Sequence, residues 1–171
     1  LPEFRAKFLE LYYSRYLRPL KDYFIGGLEF MVPTLARFPW AYNLLMKPQF
    51  MQKFTGRFIG MVDSPLLTGI NLHKAIEKLG VNYATLENIA QLTSTEKANA
   101  VILVQDAFTS YFETPLVIDT LKLLKKLGFV PLLAPFKPNA KPLQVHGILK
   151  AFTKAADANA TQLNGIASSG I

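Results

Sequence analysis

The chain has 171 residues, no cysteine, two histidines and a formal net charge of +7 at pH 7. The missing thiols exclude a disulfide scaffold, a cysteine-held zinc or iron–sulfur site and a thiol nucleophile within these residues. Half the residues are hydrophobic and 18% are charged, which excludes a largely disordered chain and allows one large core or two small ones.

The first 60 residues hold 14 of the 21 aromatic side chains and 9 of the 19 basic residues, against 4 acidic ones. Phe4, Phe8, Leu11, Tyr12 and Arg15 follow helical spacing, so a helix is expected from Pro2 to about Arg18, with Pro2 in its first turn. Pro19 should interrupt it, and Gly26-Gly27 should end the stretch after Pro19. Leu28–Phe38 is a second helical segment, kinked or started by Pro33. Trp40–Lys47, bracketed by prolines, and Pro48–Phe54 read as two more short helices. A basic, aromatic-rich segment of this kind has three readings. It is a helical layer whose aromatics face a core or the rest of a larger protein, a surface for a partner or an anionic membrane, or a nucleic-acid binder. The helical spacing favours the first and disfavours nucleic acid.

Residues 61–97 read as a connecting middle. Asp63-Ser64-Pro65 is a turn. Asn71–Gly80 is a short helix with an Asn cap and a terminal Gly, Glu87–Leu92 is a helical scrap, and Ser94–Lys97 is a polar turn. His73 lies here. Like His146, it reads as a surface or structural histidine ahead of a ligand or a general base.

From Ala100 to Pro138 the pattern is strand, loop, helix, glycine stop, strand, loop. Val101–Val104 is a continuous apolar run suited to a parallel strand covered on both faces. Thr114-Pro115 starts a helix whose apolar face is Leu116, Val117, Thr120, Leu121, Leu124 and Leu127. Lys122, Lys125 and Lys126 crowd its last turns, and Gly128 stops it. Phe129–Ala134 is the second strand, and Pro131 inside it suggests an edge or a bulge. A stiff basic loop, Pro135–Pro142, comes next, and then a last helix from about Leu143 to Leu163. The fold class is therefore α/β. A helical, aromatic-rich part (residues 1–97) precedes a βαβα unit of a small parallel, Rossmann-like sheet (residues 98–171).

Ligands of open α/β sheets sit at the carboxyl ends of the strands. The candidate site is accordingly the loop pair there: Gln105, Asp106, Thr109, Ser110 and Tyr111 from the first loop, with Lys137 and Lys141 supplying positive charge from the second. An anionic metabolite or phosphate would suit it. In the alternative reading, Asp106 and Thr109 cap local N–H groups while Phe108, Tyr111 and Phe112 pack. Asp106 has no second group spaced to cooperate with it, so no catalytic residue is assigned. No glycine-rich phosphate loop, serine–histidine–aspartate order or metal-ligand spacing occurs.

Three stretches resemble one family. QDAFTSYFETPLVIDTLKLLKKLGFVPLLAPFKPNAKPLQVHGILKAF, LPEFRAKFLELYYSRYLRPLKDY and IGMVDSPLL are similar to segments of large bacterial flavoproteins that join an FAD-binding oxidase half to an iron–sulfur half. These are FAD-linked oxidases or D-lactate dehydrogenase-like proteins, with a D-2-hydroxyglutarate dehydrogenase branch. The resemblance places this chain between a ferredoxin-type cluster motif and a C-terminal cysteine-rich region. More distantly, the βαβ part resembles the cysteine-rich "CCG" domain of iron–sulfur subunits. That domain carries Gly-Cys after its first strand and Cys-Cys-Gly after its second. Here those places hold Gln105-Asp106 and the Phe136–Lys141 loop, so this copy cannot ligate a cluster in that way.

The resemblance implies flavin-dependent oxidation of a D-2-hydroxy acid, with electrons leaving one at a time through iron–sulfur clusters. FAD and clusters would be held outside these residues, and none by this segment. Its partners would be the other domains of the parent chain and an electron acceptor or a membrane surface, with no nucleic acid. It also implies a cytoplasmic location, with the basic surface offering peripheral contact to the inner membrane. The chain starts without Met, and its single βαβα run makes only two strands, too few for an independent sheet. Both ends are therefore expected to be cuts in a longer polypeptide. In isolation its aromatic face should expose apolar patches or form a homo-oligomer.

Overall fold

The computed structural model describes residues 2–58 and 65–171. In chain order the elements are α1 (Pro2–Tyr13), α2 (Leu20–Leu35), α3 (Pro39–Met46), α4 (Gln49–Phe58), α5 (Leu72–Lys78), α6 (Leu86–Ala90) and α7 (Ser94–Ala98). Then come β1 (Ala100–Leu103), α8 (Ala107–Tyr111), α9 (Thr114–Lys126), β2 (Val130–Leu133), α10 (Lys141–Val145) and α11 (Leu149–Ala167). The described residues are mostly helical, with one small parallel sheet. Packing groups them into two units, residues 1–67 with 138–158 and residues 68–137 with 159–171. Each unit draws on both the 1–97 and the 98–171 stretch. Asp63 and Ser64 of the expected Asp63–Pro65 turn, and most of the IGMVDSPLL segment, lie outside the described residues.

In the helical unit α1 stops at Tyr13, five residues before the expected Arg18. Ser14 Oγ donates to the Leu11 carbonyl at 2.7 Å, closing the last turn. Pro19 then holds Arg18 out of helical geometry. The expected stop at Gly26-Gly27 does not occur, because α2 runs unbroken through both glycines and through Pro33. The reason is packing. A Cβ on Gly26 would stand 3.1 Å from Leu143 Cδ2 and 3.2 Å from Ile148 Cδ1. The glycine lets α2 approach the α10 region closely, and that contact offsets a helix-propensity loss of about 1 kcal/mol. Asn43 of α3 clamps the segment after α4. Its Nδ2 donates to the Leu67 carbonyl and its Oδ1 accepts from Leu67 N, both at 2.8 Å.

The single last helix expected from Leu143 is two helices. Gly147, at φ +67°, breaks it, and a Cβ there would lie 2.7 Å from the Ala6 carbonyl oxygen and 2.8 Å from Glu10 N. The corner between α10 and α11 presses on the α1 backbone, which requires a residue without a side chain.

In the sheet unit β1 and β2 pair in parallel, Ala100 opposite Val130 through Leu103 opposite Leu133. The register is unbroken, so the bulge alternative is not realised. Val130 N and Ala134 N donate towards β1, to the carbonyls of Asn99 and Leu103. Alternation then turns the Pro131 nitrogen away from β1, where its missing N–H removes no rung of the ladder. On that far side Leu133 bridges Tyr83. Consecutive leucines of β2 serve opposite faces. Leu133 packs with Ile76, Val81, Val117 and Leu121, and Leu132 packs with Ala84, Ile89, Ala134 and Ile166.

The helix over Thr114–Lys126, its proline start and the Asn71 cap on α5 agree with the sequence reading. Two segments read as irregular are short helices instead. Ser94–Ala98 forms α7 because Thr93 and Glu96 make a reciprocal capping box. Ala107–Tyr111 forms α8 because Asp106 caps it.

Candidate functional site

The loop after β1 is built on two side chains. Asp106 Oδ1 accepts from the backbone N–H groups of Phe108 at 2.7 Å and Thr109 at 3.1 Å, and Thr109 Oγ1 donates to Asp106 Oδ2 at 3.2 Å. Gln105 is buried and spans the two strand ends. Its Nε2 donates to the Ala134 carbonyl at 2.9 Å, and its Oε1 accepts from Ser110 Oγ at 2.6 Å. The Ser110 carbonyl accepts from the buried Thr114 hydroxyl at 2.7 Å, fastening α8 to α9. Tyr111 meets Phe136 edge-on at 5.2 Å, and its carbonyl accepts from Thr68 N. Burial pushes the Tyr111 phenol above its usual range, and nearby Tyr83 pushes it further. Tyr83 is itself raised by burial and stacks on His73 at 5.7 Å.

The structure thus brings together Gln105, Asp106, Thr109, Ser110 and Tyr111, each engaged in holding the loops. Lys137 is exposed and belongs to the same unit. Lys141 belongs to the helical unit. There its backbone N–H donates to Asn139 Oδ1 at 2.8 Å and its Nζ donates to Gln144 Oε1 at 2.7 Å. The arrangement around Asp106 is a helix cap fused to a two-loop staple. As chemistry it can fix backbone, and it offers no paired acid and base.

Sequence reasoning passed over a second polar cluster, in the helical unit. The buried side of α2 carries Asp22, Gly26, Glu29 and Val32, so two carboxylates lie on the covered face. Arg18 lies under the ring of Tyr13, 4.3 Å from its centroid, and donates to the carbonyls of His146 and Gly147. Asp22 approaches Arg18 Nη1 at 3.9 Å and His146 Nδ1 at 3.3 Å. Glu29 Oε2 accepts at 2.8 Å from the N–H of Ala140. That alanine is fully buried and sits in the left-handed region at φ +59°. The available signal was the seven-residue spacing of Asp22 and Glu29 within a mostly apolar helix whose one other charged residue is Lys21.

Neither constellation suits the groups that the family resemblance implies. A cluster of the ferredoxin type needs thiolates, and the chain has none. A flavin diphosphate needs backbone N–H groups or cations aimed at it. The loop N–H groups after β1 are already taken by Asp106. Among the described residues no three His, Asp or Glu side chains cluster as a metal site requires. Also among them, no helix is long and apolar enough to cross a membrane.

No protein-family model and no solved structure matches the chain. Curated proteins do. The chain is 46% identical over all 171 residues to a D-2-hydroxyglutarate dehydrogenase of Pseudomonas putida. It is 40% identical over the same length to the proteins of that name from Pantoea ananatis and Escherichia coli. It spans 17% of the length of each of these relatives. Over its whole length, then, this chain is similar to one segment of the bacterial D-2-hydroxyglutarate dehydrogenases.

Proposed function

We propose that the chain is a non-catalytic scaffold segment of an oxidoreductase that acts on a D-2-hydroxy acid, of the D-2-hydroxyglutarate or D-lactate type. The observation that carries the reading is the end-to-end similarity to a sixth of three relatives that share one name. The internally consumed polar groups of the strand-end loops support the non-catalytic role. FAD and iron–sulfur clusters belong, in this reading, to other parts of a cytoplasmic parent protein. The sheet unit corresponds to a cysteine-rich-type α/β domain that has kept its strands and lost its ligands. Its contribution is to hold neighbouring redox domains in place and to present a surface to the electron acceptor.

The test compares the complete gene product, purified with its natural cofactors, with the 171-residue chain. The complete protein is expected to reduce an artificial acceptor with D-2-hydroxyglutarate, D-lactate serving as the second substrate. The short chain is expected to be inert. Turnover by the short chain, or flavin or iron bound to it, would overturn the scaffold role. A complete gene product indifferent to both acids would overturn the substrate class.

A further inference from the structure

Helix α1 has two apolar sides. Ala6, Leu9 and Tyr13 lie on the side turned to the α10–α11 corner, where Gly147 meets Ala6 and Leu9. Phe4, Phe8, Leu11 and Tyr12 lie at i, i+4, i+7 and i+8 on the other side, and Tyr16 continues the stripe beyond the helix end. Phe8 is 56% exposed and Phe4 75%. Phe8, Tyr12 and Tyr16 stack in a column with ring centroids 6.1 and 4.6 Å apart. With Leu11 and Arg15 they line a groove of about 140 Å³. A helix that is apolar on opposite sides is a helix packed between two layers, and the described residues supply only one.

We propose that the Phe8–Tyr12–Tyr16 column is an intramolecular docking face, covered by another part of the same polypeptide beyond these 171 residues. The inference rests on the reading of the chain as a segment. The relatives carry the matching segment within proteins about six times as long, so polypeptide to cover the face is present in each of them. Arg15 on the groove wall has no ion-pair partner among the described residues, so the covering surface is apolar at its centre with a carboxylate opposite Arg15. A lipid surface fits worse. Helices that lie on anionic membranes segregate a strongly basic face from an apolar one. On α1 the acids Glu3 and Glu10 balance Arg5 and Lys7, and Glu3 pairs with Lys7 at 3.2 Å.

The experiment places the photo-cross-linker benzoylphenylalanine at Phe8, and separately at Tyr12, in the complete gene product. An equimolar mixture of heavy-isotope and ordinary protein is irradiated and its cross-linked peptides sequenced. The expected result is cross-links within one copy, from α1 to residues outside this segment. Cross-links between heavy and ordinary copies, cross-links to co-purified lipid, or none at either position would each overturn the docking face. Hydroxyl-radical oxidation of the unmodified protein is a second readout that needs no variant. Tyr12 and Tyr16 are expected to oxidise several-fold more slowly in the native complete protein than in the same protein unfolded in urea. Equal rates would overturn the proposal. A gene product of only these residues would instead sink the segment reading, so the two failures are distinct.

Discussion

The two units hold their polar groups in opposite ways. At the strand ends of the sheet unit the buried polar side chains are neutral, and most of their bonds are local. Thr114 meets Ser110 four residues away and Ser110 meets Gln105 five away, while Gln105 alone reaches further, to the Ala134 carbonyl 29 positions on. In the helical unit the buried Asp22 and Glu29 and the nearly buried Arg18 are charged, and each also reaches a remote partner. Arg18 and the carbonyls it holds are 128 and 129 positions apart, and Glu29 and Ala140 are 111 apart. A neutral local staple is cheap to desolvate and forms as soon as its turn forms. A buried charge is costly until every partner has arrived. The helical unit therefore depends on the closure of its two distant chain segments, and its substitutions should be the more damaging.

The largest effect is expected at the corner those charges hold. Gly147→Ala puts a Cβ within van der Waals overlap of α1 backbone atoms that cannot swing away, at a positive φ. Strain and overlap together should cost about 4 kcal/mol. Gly165→Ala in α11 is the matched control, since nothing lies within 4 Å of its Cβ position. It should raise stability by about 0.5–1 kcal/mol through helix propensity. Urea denaturation followed by circular dichroism would show both, and equal effects at the two glycines would break the account of the corner.

Next comes Asp22→Ala, which leaves the Arg18 guanidinium almost buried without its carboxylate. Removing one partner of such a pair should cost about 3 kcal/mol. The corresponding change in the sheet unit, Gln105→Leu, strands the Ala134 carbonyl and the Ser110 hydroxyl at a cost of about 2 kcal/mol. If Gln105→Leu proved the worse of the two in the same denaturation series, the contrast between remote charge and local staple would fail.

The same contrast explains what could be read in the sequence. The βαβ unit was legible because strand, Thr-Pro start, lysine-rich end and glycine stop are each local signals. The capping role of Asp106 was legible for the same reason, as one of two readings beside the ligand role. The run of α2 through Gly26-Gly27 was not legible. Those glycines end a helix in isolation, and only the side chains of Leu143 and Ile148, more than a hundred residues away, show why the gap is needed. The left-handed Ala140 was hidden in the same way, since a buried carboxylate from α2 fixes it. The capping box at Thr93–Glu96 is a different case. Its motif stood in plain view, and α7 was missed because a single helical turn shows no apolar period.

That box gives the smallest expected effect and a pH-dependent one. Glu96 accepts from the Thr93 backbone and hydroxyl at 2.8 Å each, and these bonds hold its carboxyl below the usual value of 4.5. A carboxyl whose folded pKa is depressed contributes stability above its unfolded pKa and loses it as pH falls through the folded one. The contribution should therefore be complete at neutral pH and fade only below about pH 4.5. Glu96 is fully exposed, so screening by water and salt keeps the effect small. Glu96→Gln keeps an acceptor for the box and removes the titration. Denaturation midpoints of the two proteins should run parallel from pH 7 to pH 5 and converge below. Convergence at higher pH, or none at all, would show that the α7 cap does not report the charge of Glu96.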